Sequence, residues 1–213
     1  MTVPGEGPQS ADAEQRICER KILVNIPYKD QWFIPGQENY LSHLVRDAGG
    51  EILGSEPGTS ISGQISVERA YSLSKEASLW LNVGWCRTLD QLLSVNPLFG
   101  DFLMNIQKNA AANGFGSASG SDSVGGSASV DGFVSAGDSA SAGGSASGDE
   151  STHADGQASP QVIWNDNSRQ NAKGGNDFWE SGVVRPDLIL RDLIRILSGS
   201  TPATQLTYYQ PVE

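Results

Sequence analysis

Histidine, cysteine and methionine are scarce in this sequence of 213 residues, with two of each, and 14 basic residues face 25 acids. Each shortage removes a class of chemistry. His43 stands in a helical pattern and reads as a surface or packed histidine, and His153 lies apart in low-complexity sequence. No ligand cluster converges, so neither a metal nor a cofactor is expected. Cys18 and Cys86 lack metal-type spacing and are too few for a disulfide framework, so both read as free thiols. A nucleophilic Cys86 would need a neighbouring base, and the sequence signals none. The net charge of −11, with no Lys/Arg cluster to neutralise phosphates, excludes nucleic acid as the expected partner. No apolar run approaches the ~18–20 residues that span a bilayer. Met1 to Arg20 is polar and acidic, without a basic start and an apolar core, so it is not a Sec signal peptide. On that ground alone the chain is expected to stay in the cytoplasm. Gly-x-Gly-x-x-Gly, P-loop and Gly-x-Ser-x-Gly motifs are absent, so no catalytic residue is named and an enzyme is not expected.

Small residues, by contrast, are abundant and concentrated. Residues 109–160 hold 13 Ser, 11 Gly and 11 Ala, together with six acids and no Lys or Arg. Ordering a backbone costs roughly 1–2 kcal/mol per residue, and such a segment buries too little apolar surface to offset that. It contains three copies of Gly-Ser-Ala-Ser, beginning at Gly116, Gly126 and Gly144, without a fixed period. The expectation is a disordered insert at 109–160 within one foldable domain made of 21–108 and 161–213, after a polar segment at 1–20.

The foldable parts alternate between strand and helix patterns. Lys21 to Ile26 is a short apolar run closed by Pro27, consistent with a buried parallel strand. Glu38 to Ala48 reads as a helix with Leu41, Leu44, Val45 and Ala48 on one face and Gly49-Gly50 at its C-cap. Glu51 to Leu53 is a brief strand. Ser66 can cap a helix running to about Glu76, and Leu79 to Asn82 is the next strand. Thr88 and Gln91 have capping-box spacing ahead of Leu89, Leu92 and Leu93, and Asn96-Pro97 ends that helix. Leu98 to Ile106 suggests a further short helix. Val162 to Trp164 resumes as a strand, and Pro186 opens a helix with Leu188, Ile189, Asp192, Leu193, Ile196 and Leu197 on one face, closed by Gly199. Tyr208 and Tyr209 are expected to pack back on the domain. This order predicts an α/β fold, a Rossmann-like lobe with a small parallel sheet flanked by helices.

Functional loops in such sheets lie beyond the carboxyl ends of the strands, here 27–37, 54–65, 83–87 and 165–185. They carry Tyr28, Trp32, Phe33, Trp85, Phe178 and Trp179, whereas Trp80 and Trp164 fall within strands and read as core. A ring-rich rim suits a large, partly planar ligand, because each ring gives much contact area for little lost entropy. The plainer reading is that several of these rings cap the core.

Two blocks carry a resemblance. Gln31 to Tyr40 reads QWFIPGQENY and runs on to Asp47-Ala-Gly-Gly50; it looks like the start of the C-terminal lobe of periplasmic substrate-binding proteins of ABC importers for iron chelates, heme or cobalamin. Gly174 to Asp187 reads GGNDFWESGVVRPD and runs into LILRDLI; it resembles the end of such proteins, in the form found in the Bacteroidetes lineage. The resemblance covers most of 21–108 and 161–209. It implies two α/β lobes joined by a long helix, with the ligand between them. By position it implies that Trp32, Asn176, Phe178, Trp179 and Trp85 face the cleft; Tyr28 and Phe33 are ligand candidates only as loop aromatics. It further implies an acidic residue that docks on arginines of the ABC permease, a place that Glu38 occupies. The competing reading of Glu38 is an acid favoured by the helix macrodipole, worth ~0.3–1 kcal/mol.

The chain departs from that pattern in lacking the N-terminal lobe, the linking helix (unless Ala11 to Arg20 is its stub) and an export signal or lipoprotein cysteine. The insert stands where the family has a short connection. These departures suggest a fragment, a mis-set start codon, or a lobe working with a separately encoded N-terminal lobe; the family itself is periplasmic. The alternatives are a stand-alone non-catalytic protein-interaction module or a non-functional fragment. A small Rossmann-like enzyme would need a phosphate-binding loop that the sequence does not contain.

Overall fold

The computed structural model describes residues 20–29, 31–115, 160–199 and 205–213. The polar segment before Arg20, the three Gly-Ser-Ala-Ser copies, Cys18, His153 and nearly all of the expected insert lie outside them. Five strands make the main sheet. Strand β1 (Arg20–Val24) runs between β3 (Gly50–Ile52) and β5 (Leu79–Leu81), and β5 pairs in turn with β6 (Ile163–Asn165), all parallel. A short β7 (Gln210–Pro211) closes the far edge antiparallel to β6. The sequence-based reading contained neither β7 nor the separate antiparallel pair of β2 (Trp32–Ile34) and β4 (Gly63–Ile65), which occupies stretches expected to be loops. Three-residue strands bracketed by Pro, Gly and Ser leave too little alternation to be read as strands.

Helices cover the sheet. Helix α1 (Tyr40–Asp47) packs against α5 (Pro186–Ser198), while α2 (Val67–Ser74) and α3 (Leu89–Val95) pack against α4 (Phe99–Ala112). Leu23, Val24 and Leu79 to Leu81 are fully buried, as strands covered on both faces must be. The caps follow the local chemistry. Ser66 Oγ accepts from Arg69 N, and Thr88 Oγ1 accepts from Gln91 N at 3.2 Å. The return bond of the capping box lands one residue early, because Gln91 Oε1 takes the amide of Arg87 at 2.7 Å. Gly199 closes α5 with φ +68°, a left-handed turn for which glycine carries no steric cost.

The order of α4 extends past the boundary set by composition. Instead of ending near Ile106, the helix continues to Ala112, and Phe115 N reaches back to Ala110 O while Gly114 N reaches Ala111 O. This is a Schellman closure, with Phe115 buried beneath the Arg20 guanidinium at 4.9 Å. Residues 109–115 share the small-residue composition of the low-complexity stretch, with three consecutive alanines. Alanine is also the best helix former, and Ala110 is fully buried.

Tyr208 and Tyr209 pack back on the domain, each about 1 % exposed. The fully buried Asp192 holds them there: its Oδ2 accepts the amides of Thr207 at 2.8 Å and Tyr208 at 2.7 Å. Asp192→Ala strands those two amides in an apolar setting, each loss being worth about 1–3 kcal/mol. The expected outcome is an unfolding free energy, read from urea titration, lowered by about 2–6 kcal/mol, together with faster hydrogen exchange at 207–209. Unchanged exchange at those amides would refute the role assigned to Asp192.

Candidate functional site

A cleft of about 430 Å³ opens at the carboxyl edge of the sheet. Its floor is built by the residues that directly follow three adjacent parallel strands: Asn25 after β1, Asn82 after β5 and Asp166 after β6. Asn25 and Asn82 have φ of +65° and +61°, a region in which asparagine is better tolerated than most residues. The two tryptophans beneath them fix this turn-out. Trp32 Nε1 donates to Val24 O and Trp80 Nε1 to Asn25 O, both at 2.8 Å, while the Asn25 side chain donates to Phe33 O at 2.7 Å.

The loop after β6 forms one wall. Asn165 is fully buried, and its Nδ2 donates to Gly84 O at 2.8 Å and Cys86 O at 2.7 Å, tying the 83–87 loop to β6. Asn176 Nδ2 donates to Asp166 Oδ1 at 3.2 Å, while its Oδ1 caps a single turn of 3₁₀ helix at Asp177–Trp179 by accepting from Phe178 N. That turn projects Trp179, which is 62 % exposed, over the cleft. The opposite wall comes from Pro35, Asn39, Leu41 and Ser62. Asn39 caps α1 by accepting from Leu41 N, and its Nδ2 donates to Ser60 O at 3.1 Å.

The electrostatics of the floor are unusual. Burial pushes the Asp166 carboxyl up to about 6, against a weaker downward pull from the Asn176 amide. The Tyr209 hydroxyl behind it is held well above its ordinary range by burial, with the charges of Asp166 and Asp192 adding to the effect. Neither that hydroxyl nor Asn82 Oδ1 has a hydrogen bond of good geometry, although both are buried. Burial also raises the Cys86 thiol, opposite to the direction an activated nucleophile needs. Among the described residues no group of three or more His, Cys, Asp or Glu is placed to hold a metal ion. No described helix is long and apolar enough to cross a membrane.

The expected site residues divide into three groups. Asn176 and Trp179 line the cleft. Tyr28, Phe33 and Trp85 are exposed but are not part of its lining. Trp32 and Phe178 are corrected to core. Trp32 is fully buried, stacked on Phe102 with ring centroids 5.7 Å apart and on Trp80 at 6.0 Å, and Phe178 packs edge-on to Tyr208 and Tyr209. In both cases alternation or a tight turn sends one ring inward and its neighbour outward, a distinction that a list of loop aromatics does not contain. Glu38 precedes the Asn39 cap and so lies outside the first turn of α1, which weakens the macrodipole reading. Its carboxylate stands 3.3 Å from His43 Nε2 and lines a separate hollow with Arg46 and Glu51. Asn25, Asn82 and Asp166 were absent from the sequence-based set; a polar residue directly after each buried apolar run was the available signal.

No family model matches the chain, and neither a curated protein nor a solved structure matches it.

Asp166 generates a pH prediction. Its carboxyl titrates near 3.8 when exposed and near 6 in the fold, so the native state binds the extra proton between these values. Stability therefore falls as pH rises through that window, by about 3 kcal/mol in all. Asp166→Asn keeps the acceptor for Asn176 and removes the titration. Urea unfolding is expected to show the variant more stable than the parent at neutral pH, with the difference gone at pH values below the window. Parallel pH profiles for the two proteins would contradict the assignment.

Proposed function

We propose that this chain is the ligand-binding C-terminal lobe of an ABC-importer substrate-binding protein for an iron chelate, heme or cobalamin. One observation carries the reading. The two sequence blocks that resemble this family, far apart along the chain, meet as the two walls of one cleft, with Pro35, Asn39 and Leu41 on one side and Asn176 and Trp179 on the other. The cleft lies at the carboxyl edge of a parallel sheet, where open α/β folds place their ligands. It is open to one side, as a half-site would be that a separate N-terminal lobe covers in a periplasmic setting. Glu38, exposed at the mouth of its own hollow, is the residue assigned to docking on the permease.

Exposed Tyr28 and Trp85 outside the cleft favour a second reading, a non-catalytic protein-interaction module, since such rings suit a protein surface equally well. The ligand distinguishes the two. Titration of the purified chain with cyanocobalamin, hemin and a ferric siderophore, read by tryptophan fluorescence corrected for ligand absorption, is expected to give weak saturable quenching by one of them. Trp179→Ala should weaken that binding roughly tenfold, the worth of a stacked ring. Trp32→Ala, by contrast, should destabilise the fold by about 3–5 kcal/mol as a core truncation. No saturable response to any of the three would sink the importer reading and leave the interaction module.

A further inference from the structure

The cleft has a one-sided inventory of polar groups. Its lining contains Asn25, Asn39, Asn82, Asn176 and Asp166, and no Lys or Arg among the described residues. Asp166 and Asn82 are only 7 % and 8 % exposed. The nearby bases are engaged elsewhere: Arg169 pairs with Asp177 at 3.1 Å, and Arg87 donates to Asn167 O at 3.3 Å. An acid buried without a cation is costly to keep, and such groups concentrate at sites of function.

Most of the unclaimed atoms are acceptors. Asn39 spends both ends of its amide on its cap and on Ser60 O, and Asn176 spends both on Phe178 N and Asp166. Apart from the Asn82 amide nitrogen, what remains is mostly acceptors. Among the described residues Asn82 Oδ1 is buried without a bond of good geometry, and neither the second Asp166 oxygen nor Asn25 Oδ1 bonds to another residue. The Tyr209 hydroxyl lies against the Asn82 side chain, which offsets part of the upward push on it, without forming a bond of good geometry. One carboxylate flanked mainly by free amide oxygens, with no cation in the lining, calls for N–H donors and repels anions. Trp179 adds a flat apolar wall for a planar body.

We propose that this cleft takes an uncharged ligand fringed with N–H donors, as primary amides are, and rejects ligands that enter with carboxylates or catecholates. This rests on the importer reading and selects among its three ligand classes. Each primary amide supplies a donor to Asn82 Oδ1 or to Asp166, while its carbonyl can accept from the Asn82 Nδ2. A ligand carboxylate in the same place meets the Asp166 charge at close range with no base to offset it. At the effective dielectric of a protein site this costs roughly tenfold or more in affinity. The cleft volume admits one edge of a large ligand, leaving the remainder for a second lobe.

Equilibrium dialysis of the full chain tests this, with cyanocobalamin as the uncharged amide-bearing probe, and hemin and a ferric tricatecholate as the anionic ones. Cyanocobalamin alone should be retained. Asn82→Gly tolerates the positive φ and should weaken that retention roughly tenfold. Ser62→Lys changes only an exposed rim residue and should raise hemin retention roughly fivefold. Circular dichroism of both variants should match the parent. Retention of hemin or the tricatecholate at least as strong as that of cyanocobalamin would overturn the selectivity while leaving the importer reading in place. Retention of none of the three would overturn both.

Discussion

Two indole N–H groups hold the end of the first strand. The ladder of β1 stops at Val24, and the carbonyls of Val24 and Asn25 would otherwise be left in the interior without partners. Trp32 and Trp80 donate to them from rings that also stack on each other and on Phe102, so hydrogen bonding and core packing are set by the same two side chains. Trp80 comes from the neighbouring strand and Trp32 from the small antiparallel β2–β4 pair. The sheet, the β2–β4 pair and helix α4 are therefore fixed on one another at that point.

The consequence is a floor that points polar groups outward from an apolar base. Once the strand end is pinned, Asn25 turns out in a left-handed conformation, and Asn82 repeats the turn one strand over. Asp166 completes the row under the Asn176 amide, with Asn165 anchoring the intervening loop from below. Asn25 carries two duties, its amide holding Phe33 O while the residue lines the opening. The arrangement holds a carboxylate where an apolar side chain would be more favourable for folding.

The strand and helix order was legible because β1, β5 and α5 are long or apolar enough for their periods to stand out, and because Ser66, Pro186 and Gly199 punctuate helices in the expected way. Burial direction was not legible in the loops. Trp32 and Phe33 are adjacent in sequence, yet one is core and the other exposed, because they belong to a three-residue strand too short to show its alternation. Phe178 and Trp179 separate in the same way on a single 3₁₀ turn. The polar floor went unseen for a different reason. Asn25, Asn82 and Asp166 come from distant parts of the chain, and only the strand order places them side by side. Composition also set the low-complexity boundary too early, since alanine serves equally in a spacer and in the last turns of a helix.

The outermost strand β7 ends in Pro211, and proline offers no amide to a further strand. At the other margin β3 has only three residues, with a charged Glu51 at its centre. Both rims of the sheet are thus short and blunted, which denies neighbouring molecules a template for edge-to-edge growth. A domain with this outline can be held at high local concentration without polymerising through its sheet.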